Sequence, residues 1–294
     1  MKSKIITWAQ NGEDIVLRRA LHDIHVGFYV DVGAADPDGD SVTKLFYDQG
    51  WNGINIEPNV DFLARLVASR ARDVNLGCAV STVETTRILN VIPDTGLSTF
   101  NEEYAERHRN DGFTTRQDAV ITRTLNNILV EHSVTDIHFL KIDVEGHEEE
   151  VLLSINLSRH RPWIILYEAT EPNTNTVITS AVHNILEKHS YQFVLFDGLN
   201  KYFVATEHAS RAKYIFPMNI LDNAIRSSDS EKETHHESAV NYAKDLERVL
   251  IEKDKVLSEF QKALDEKDET LAELTKLLGE KLNGKSSDFK REED

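Results

Sequence analysis

The sequence predicts an α/β fold, a mostly parallel open sheet with a hairpin at one edge, followed by a long C-terminal coiled-coil helix. Three observations carry that prediction. Short apolar runs that stop at small or acidic residues recur at 28–32, 53–56, 139–144 and 163–167, with helical patterns between them. Asp197 and Gly198 form a tight turn between two further apolar runs, 191–196 and 201–205, which reads as a hairpin. Past residue 241, apolar residues recur at alternating spacings of three and four. The chain divides accordingly into a domain over 1–226, a linker over 227–240, a coiled coil over 241–282 and a disordered tail over 283–294.

Composition narrows the classes of function. A net charge of −17 argues against nucleic acid as a partner, because phosphate binding needs clustered Lys and Arg. It argues equally against a polybasic membrane patch. Cys78 is the single cysteine, which rules out an internal disulfide and fits a reducing compartment. No stretch approaches the ~20 apolar residues of a membrane span, and residues 1–10 lack the apolar run of a signal peptide. The expectation is a soluble cytoplasmic protein with no membrane span.

Residues 10–21 read as a helix whose Glu13 and Asp14 suit the positive end of the helix dipole. Gln10, Glu13 and Asp14 serve either as N-terminal capping or as a lid over a ligand. The strand at 28–32 then meets Gly33, Ala34, Ala35 and Asp36. In open α/β sheets the ligand lies just past the carboxyl end of such a strand. A dinucleotide loop needs three glycines for close approach to the pyrophosphate. Only Gly33 and Gly39 are present, and Asp36, Asp38 and Asp40 crowd the loop. Carboxylates repel a diphosphate but suit S-adenosylmethionine, which carries an ammonium and a sulfonium and no phosphate. The charge pattern favours that methyl donor over NAD.

After a helix at 42–49, the second strand ends in Glu57, Pro58 and Asn59. Glu57 is either the acceptor for both ribose hydroxyls or a strand-end acid before a helix capped by Asn59. A helix at 60–70 leads to a third strand, 75–80, in which Cys78 reads as a small buried filler and Ala79 walls the base. A weak alternation at 87–92 suggests an extra strand, followed by a charged helix over 101–108 and an irregular stretch at 112–115. This insertion, with Ser98, Tyr104, Arg107, His108 and Arg109, is either a source of acceptor contacts or a solvated excursion.

The strand at 139–144 sets Asp143 and Glu145 at its carboxyl end, where 145–148 turn into a helix. The fifth strand, 163–167, ends in Glu168, and a helix over 174–189 leads to the hairpin. Three acids and His147 therefore converge on one crevice. A buried cluster of that kind must be paired, protonated or metal-bound, since burying free charge is costly.

These motifs resemble a known family. Residues 28–36, 55–59 and 96–99, and above all Lys141, Ile142, Asp143, Val144, Glu145, Gly146, His147 and Glu148, are similar to the FkbM family of S-adenosylmethionine-dependent methyltransferases. Gln10, Asn11, Gly12, Glu13 and Asp14 resemble the opening of many members, and the likeness spans about 8–205. It implies a Rossmann-like class I methyltransferase sheet and O-methylation of a hydroxyl on a sugar, glycan or polyketide-type acceptor, here read as polysaccharide biosynthesis. Carried over, it implies that Gln10, Asp31, Gly33, Asp36, Ser41, Glu57 and Asn59 hold the cofactor, with Ala79 near the adenine. It implies that Asp143, Glu145 and His147 face the acceptor. Either His147 or Asp143 takes the hydroxyl proton, or Asp143 and Glu168 hold a divalent metal that binds the acceptor's vicinal oxygens. Two positions depart from the family pattern: Asn126 stands where an aspartate is common, and Ala9 where a serine commonly precedes the glutamine.

In the tail, Ala243, Leu250, Leu257, Leu264, Leu271 and Leu278 fall every seven residues. Leu246, Lys253, Phe260, Lys267, Leu274 and Lys281 follow three residues later, completing a coiled-coil seam. Gly279 and Gly284 are expected to end the helix. The seam implies a homo-oligomer joined through 241–282. The competing function is a non-catalytic coiled-coil scaffold carrying a degenerate Rossmann-like domain. An NAD-dependent oxidoreductase is disfavoured by the missing glycines.

Overall fold

The computed structural model describes residues 4–288. A short strand β1 (Ile5–Thr7) precedes α1 (Glu13–Ala20). The alternation expected from the apolar runs follows as β2 (Phe28–Val32), α2 (Lys44–Asp48), β3 (Asn52–Ile56), α3 (Val60–Ser69) and β4 (Val74–Leu76). An insertion comes next, made of β5 (Ala79–Val80), β6 (Thr86–Val91), α4 (Glu102–Asn110) and β7 (Arg116–Arg123). The alternation resumes with α5 (Leu125–Glu131), β8 (Phe139–Ile142), α6 (Glu148–Leu153), β9 (Ile164–Glu168) and α7 (Val182–Lys188). It closes with the hairpin β10 (Tyr191–Phe196) and β11 (Asn200–Ala205). Strand β12 (Ala224–Arg226) pairs in parallel with β1, and α8 (Ser227–Asp288) ends the described chain.

The main sheet has seven strands in the order β10-β11-β9-β8-β2-β3-β4. Strands β2, β3, β4, β8 and β9 are mutually parallel, and β11 runs antiparallel to both its neighbours. From β2 the chain winds one way through β3 and β4 and the other way through β8 and β9. The order reverses between β2 and β8, the switch point at which such sheets bind ligands. Register brings the loops level there: Val32 lies opposite both Ile56 and Ile142, and Ile142 opposite Tyr167. Asp143 and Glu168, each one residue further on, therefore end side by side.

Side chains alternate across each strand, and both faces of this sheet are covered, which is why the strands read as unbroken apolar runs. Val30, Leu140 and Ile165 face one core with α5, α6 and α7. Tyr29, Phe139 and Ile164 face the other with α1 and α2.

Several elements depart from the sequence expectation, each for a local reason. The strand expected over 75–80 breaks after Leu76, and Ala79–Val80 leaves the main sheet to pair with β7 in a second sheet, β5-β7-β6. Gly77 allows the departure, because a Cβ there would meet the Leu63 side chain at 2.6 Å. The helix expected over 174–189 forms only from Val182. Before it, Glu171 N–H donates to Thr176 O and Ile178 N–H to Ala169 O, a turn set by Pro172 and by Asn173 in the left-handed region. Strand β7 and helix α5 had no expectation in the sequence, since the strand is mostly polar and half exposed.

The segment expected as a linker, 227–240, is helical and continuous with the heptad region. The helix also passes Gly279 and Gly284 and continues to Asp288, so 283–288 of the expected tail is helical and 289–294 lies outside the described residues. Its seam leucines, Leu250, Leu257, Leu264 and Leu271, are exposed in the single chain. Among the described residues no helix is long and apolar enough to cross a membrane.

Candidate active site

A cavity of about 610 Å³ opens at the carboxyl ends of β2, β3, β8 and β9. Its floor is the loop after β2. Gly33 and Ala34 donate their amides to Ile56 O at 3.0 and 3.3 Å, which fixes this loop to the end of β3. Gly33 has φ +79°, and a Cβ there would fall 1.8 Å from Asp143 O. Only glycine permits strands β2 and β8 to end so close together.

Glu57 ties the first two loops together. Its Oε2 accepts from Ala35 N–H at 2.8 Å and its Oε1 from Asn59 N–H at 2.7 Å. Burial pushes its carboxyl up to about 7, against the pull of those two amides and of Lys141. Asp36 lies at the rim. Burial would raise its carboxyl, but the Gly39 and Asp38 amides and the Arg65 guanidinium, 2.8 Å away, outweigh that and lower it.

Lys141 is the concealed cation under the loop. Its Nζ donates to Gly33 O at 2.6 Å and lies 3.4 Å from Asp31 Oδ1 and 3.3 Å from Asp143 Oδ2. Burial alone would lower its pKa, but the charges of Asp31 and Asp143 overturn that and raise it. Asp31 faces Lys141 directly across the β2–β8 pairing and also accepts from Thr43 Oγ1 at 3.2 Å.

Gln10, Gly33, Asp36, Glu57 and Ala79 line the cavity, as do Asp143, Glu145, His147 and Glu168. Three residues expected at the cofactor are not on its surface. Asp31 is spent on Lys141 and Thr43. The Ser41 hydroxyl accepts from Arg70 Nη2 at 3.0 Å. Asn59 caps α3, its Oδ1 accepting from Asp61 N–H at 3.0 Å. Their burial follows from short polar residues doing local work at strand and helix ends, which a linear pattern does not separate from ligand contact.

Apolar lining comes from Phe62, Cys78, Ala79 and Leu89. Cys78 is buried and its thiol is pushed up to about 11 by burial, the signature of a packed rather than a reactive sulfur.

The acidic end is built by the backbone of 143–147. Glu145 has φ +52° and Gly146 φ +94°. Thr99 Oγ1 donates to Glu145 O at 2.8 Å, and Glu148 Oε1 accepts from Gly146 N–H at 3.1 Å. This kinked loop swings Glu145 towards Asp143 and Glu168, so that one ligand oxygen from each lies within 4.8 Å of the others. Burial, then the charges of Asp143 and Glu148, raise the Glu145 carboxyl. Burial, then Asp143 and Glu145, raise that of Glu168 far above the carboxylate range.

His147 lies apart from this trio. Its Nε2 is 3.2 Å from Arg87 Nη2, and its ring packs 5.2 Å from that of Phe100. Arginine has no acceptor, so the imidazole lone pair on Nε2 is occupied. Burial also lowers its pKa.

Sequence reasoning missed Arg87, which joins His147 to Glu150 at 3.1 Å, and the Asn173–Asn175 rim. The Glu171-Pro172-Asn173 run was the available signal for the rim, as a turn rather than a helix start.

The strand order and a crevice at the switch point define a Rossmann-like fold with its cavity where the winding reverses. A family model described as "Methyltransferase FkbM domain" matches residues 31–193, more than half of the chain. The protein belongs to that family and is a methyltransferase. The match ends before β11 and α8. No curated protein matches the chain.

Proposed function

We propose that this methyltransferase uses S-adenosylmethionine to methylate a hydroxyl of a sugar or glycan, and that its C-terminal helix joins copies of the chain. Glu57 carries the reading. A carboxylate has about four acceptor sites, and each Glu57 oxygen gives one of its two to a backbone amide. The remaining acceptors suit the two ribose hydroxyls of a nucleoside. Phe62, Cys78 and Ala79 supply an apolar wall for its base. A diphosphate would meet Asp36, Asp40 and Glu57, all lining the same cavity, where Arg65 is paired with Asp36 and Lys141 is already engaged by Asp31 and Asp143.

When bound, S-adenosylmethionine supplies a methyl group already activated by its sulfonium. The chain's part is to align a hydroxyl in line with it and to take the hydroxyl's proton. Asp143 is the receiving group, with Glu145 and Glu168 beside it and Lys141 holding it from below. His147 is the weaker candidate base, its Nε2 being engaged by Arg87. Neutral hydrogen-bonding residues on the adjoining rim, Ser98, Asn173, Thr174 and Asn175, suit a polyhydroxylated acceptor.

Calorimetry with S-adenosylhomocysteine, and separately with NAD, tests the reading. Binding of the first and not the second is expected, NAD alone would overturn it, and binding of neither would favour a scaffold. Glu57→Gln removes the charge from two hydrogen bonds worth roughly 1.5–3 kcal/mol each. Affinity for S-adenosylhomocysteine is then expected to fall about 100-fold. In the native chain affinity declines as pH falls through about 7, because the Glu57 carboxyl takes up a proton there. In the glutamine variant that decline is absent.

For the helix, the repeat of exposed leucines over five heptads supports self-association. Removing residues 231–294 is expected to reduce the light-scattering mass from a multiple of the chain to a single copy. An unchanged number of copies would contradict it.

A further inference from the structure

Asp143, Glu145 and Glu168 form a site whose donors are all oxygen. Two features point to a ligand there beyond the acids' mere proximity. Glu145 is 7% exposed, and its Oε2 is buried with no hydrogen-bond partner among the described residues. That carboxylate supplies one of the three oxygens lying within 4.8 Å of one another. Thr170, two residues beyond Glu168 and lining the same cavity, likewise buries a hydroxyl without a partner among the described residues. Lys141 does not answer this need. It touches Asp143 but is shared with Asp31 and Gly33 O, and its contacts do not extend to the orphaned Glu145 oxygen.

We propose that Asp143, Glu145 and Glu168 bind one divalent cation of the oxygen-preferring class, Mg²⁺, Mn²⁺ or Ca²⁺, and that the acceptor's neighbouring hydroxyl oxygens complete its coordination. An all-carboxylate set selects hard cations over zinc or copper, which favour nitrogen and sulfur. Oxygens on opposite sides of Ca²⁺ lie about 5 Å apart and those across Mg²⁺ about 4 Å. Three oxygens within 4.8 Å of one another can become neighbours around one such ion as the side chains close on it. Three protein ligands leave about half of a six-coordinate shell open. Two positions match a vicinal diol and the third a water. The acceptor's part rests on the methyl-transfer reading, whereas the cation site stands or falls by itself.

The test uses the full chain after treatment with a chelator. Mn²⁺ is titrated by calorimetry and by the loss of its free-ion paramagnetic resonance signal, and Mg²⁺ and Ca²⁺ are titrated in competition. One saturable Mn²⁺ site per chain is expected, weakened at least 10-fold in Glu145→Gln and in Glu168→Gln. Thermal melting and S-adenosylhomocysteine titration on the same variants establish that they are folded. No saturable binding of any of the three ions, in a chain that still binds S-adenosylhomocysteine, overturns the cation site and leaves the methyl-transfer reading standing. Binding unaffected by both substitutions overturns it as well, since the ion then sits on other acids. Cation binding without S-adenosylhomocysteine binding supports the site and overturns the methyl-donor reading instead.

Discussion

Gly33→Ala is expected to destabilise the protein by more than about 4 kcal/mol, the range reserved for severe packing or backbone conflicts, and to abolish binding of S-adenosylhomocysteine. The new Cβ would stand 1.8 Å from Asp143 O and 2.9 Å from the Asp143 carbonyl carbon. Both are backbone atoms, so no rotamer change relieves the overlap. The φ of +79° adds roughly 1–2 kcal/mol for any residue with a side chain. The ends of β2 and β8 would have to part, breaking Asp143 N–H to Val32 O at 3.0 Å and Lys141 Nζ to Gly33 O at 2.6 Å. Gly39→Ala is the control in the same loop. Its nearest neighbour would be Asp36 Oδ1 at 3.6 Å, ordinary contact, and its φ lies outside the left-handed region. Urea midpoints of the two variants check the pair: a large drop for the first and almost none for the second. Equal midpoints would contradict the account of the floor.

Asp143→Asn is expected to slow methyl transfer by ~10²–10⁴-fold, the usual share of a positioned proton acceptor, while leaving S-adenosylhomocysteine affinity within a few-fold. Asp143 is where the strand ends of β8 and β9 bring two acids together, and it alone of the trio contacts Lys141. Asparagine keeps the shape and one acceptor oxygen but loses the basic carboxylate. His147→Gln is expected to cost much less, because its Nε2 is given to Arg87. Transfer of labelled methyl to a panel of mono- and oligosaccharides, with turnover separated from half-saturation, distinguishes the two. A larger loss at His147 than at Asp143 would reverse their assigned roles.

Much of this arrangement was legible in the linear chain. The strands that carry the crevice, β2, β3, β8 and β9, are buried on both faces, so apolar runs and their abrupt acidic ends were enough to place Glu57, Asp143 and Glu168. The hairpin followed from Asp197 and Gly198. What stayed hidden depends on partners far away in sequence. Asp31 and Lys141 look like two isolated charges until register sets them opposite each other. Ser41 and Asn59 look like ligand contacts until Arg70 and the Asp61 amide claim them. Residues 75–80 look like one strand because Gly77 marks a departure only once Leu63 stands over it. The segment 227–240 is polar enough to read as a linker, yet its backbone continues the helix that follows.

The insertion between β4 and α5 leaves and re-enters at one point. Ala79–Val80 lies beside Thr122–Arg123, and Ser81 N–H donates to Arg123 O at 3.0 Å, fastening the two crossing chains. None of its strands joins the central seven, yet Leu89, Ser98 and Phe100 all border the hollow. The insertion thus furnishes part of the hollow's wall without adding a strand to the sheet that supports it. Substitutions on its strands can therefore reshape that wall while every hydrogen bond of the seven-stranded ladder stays in place.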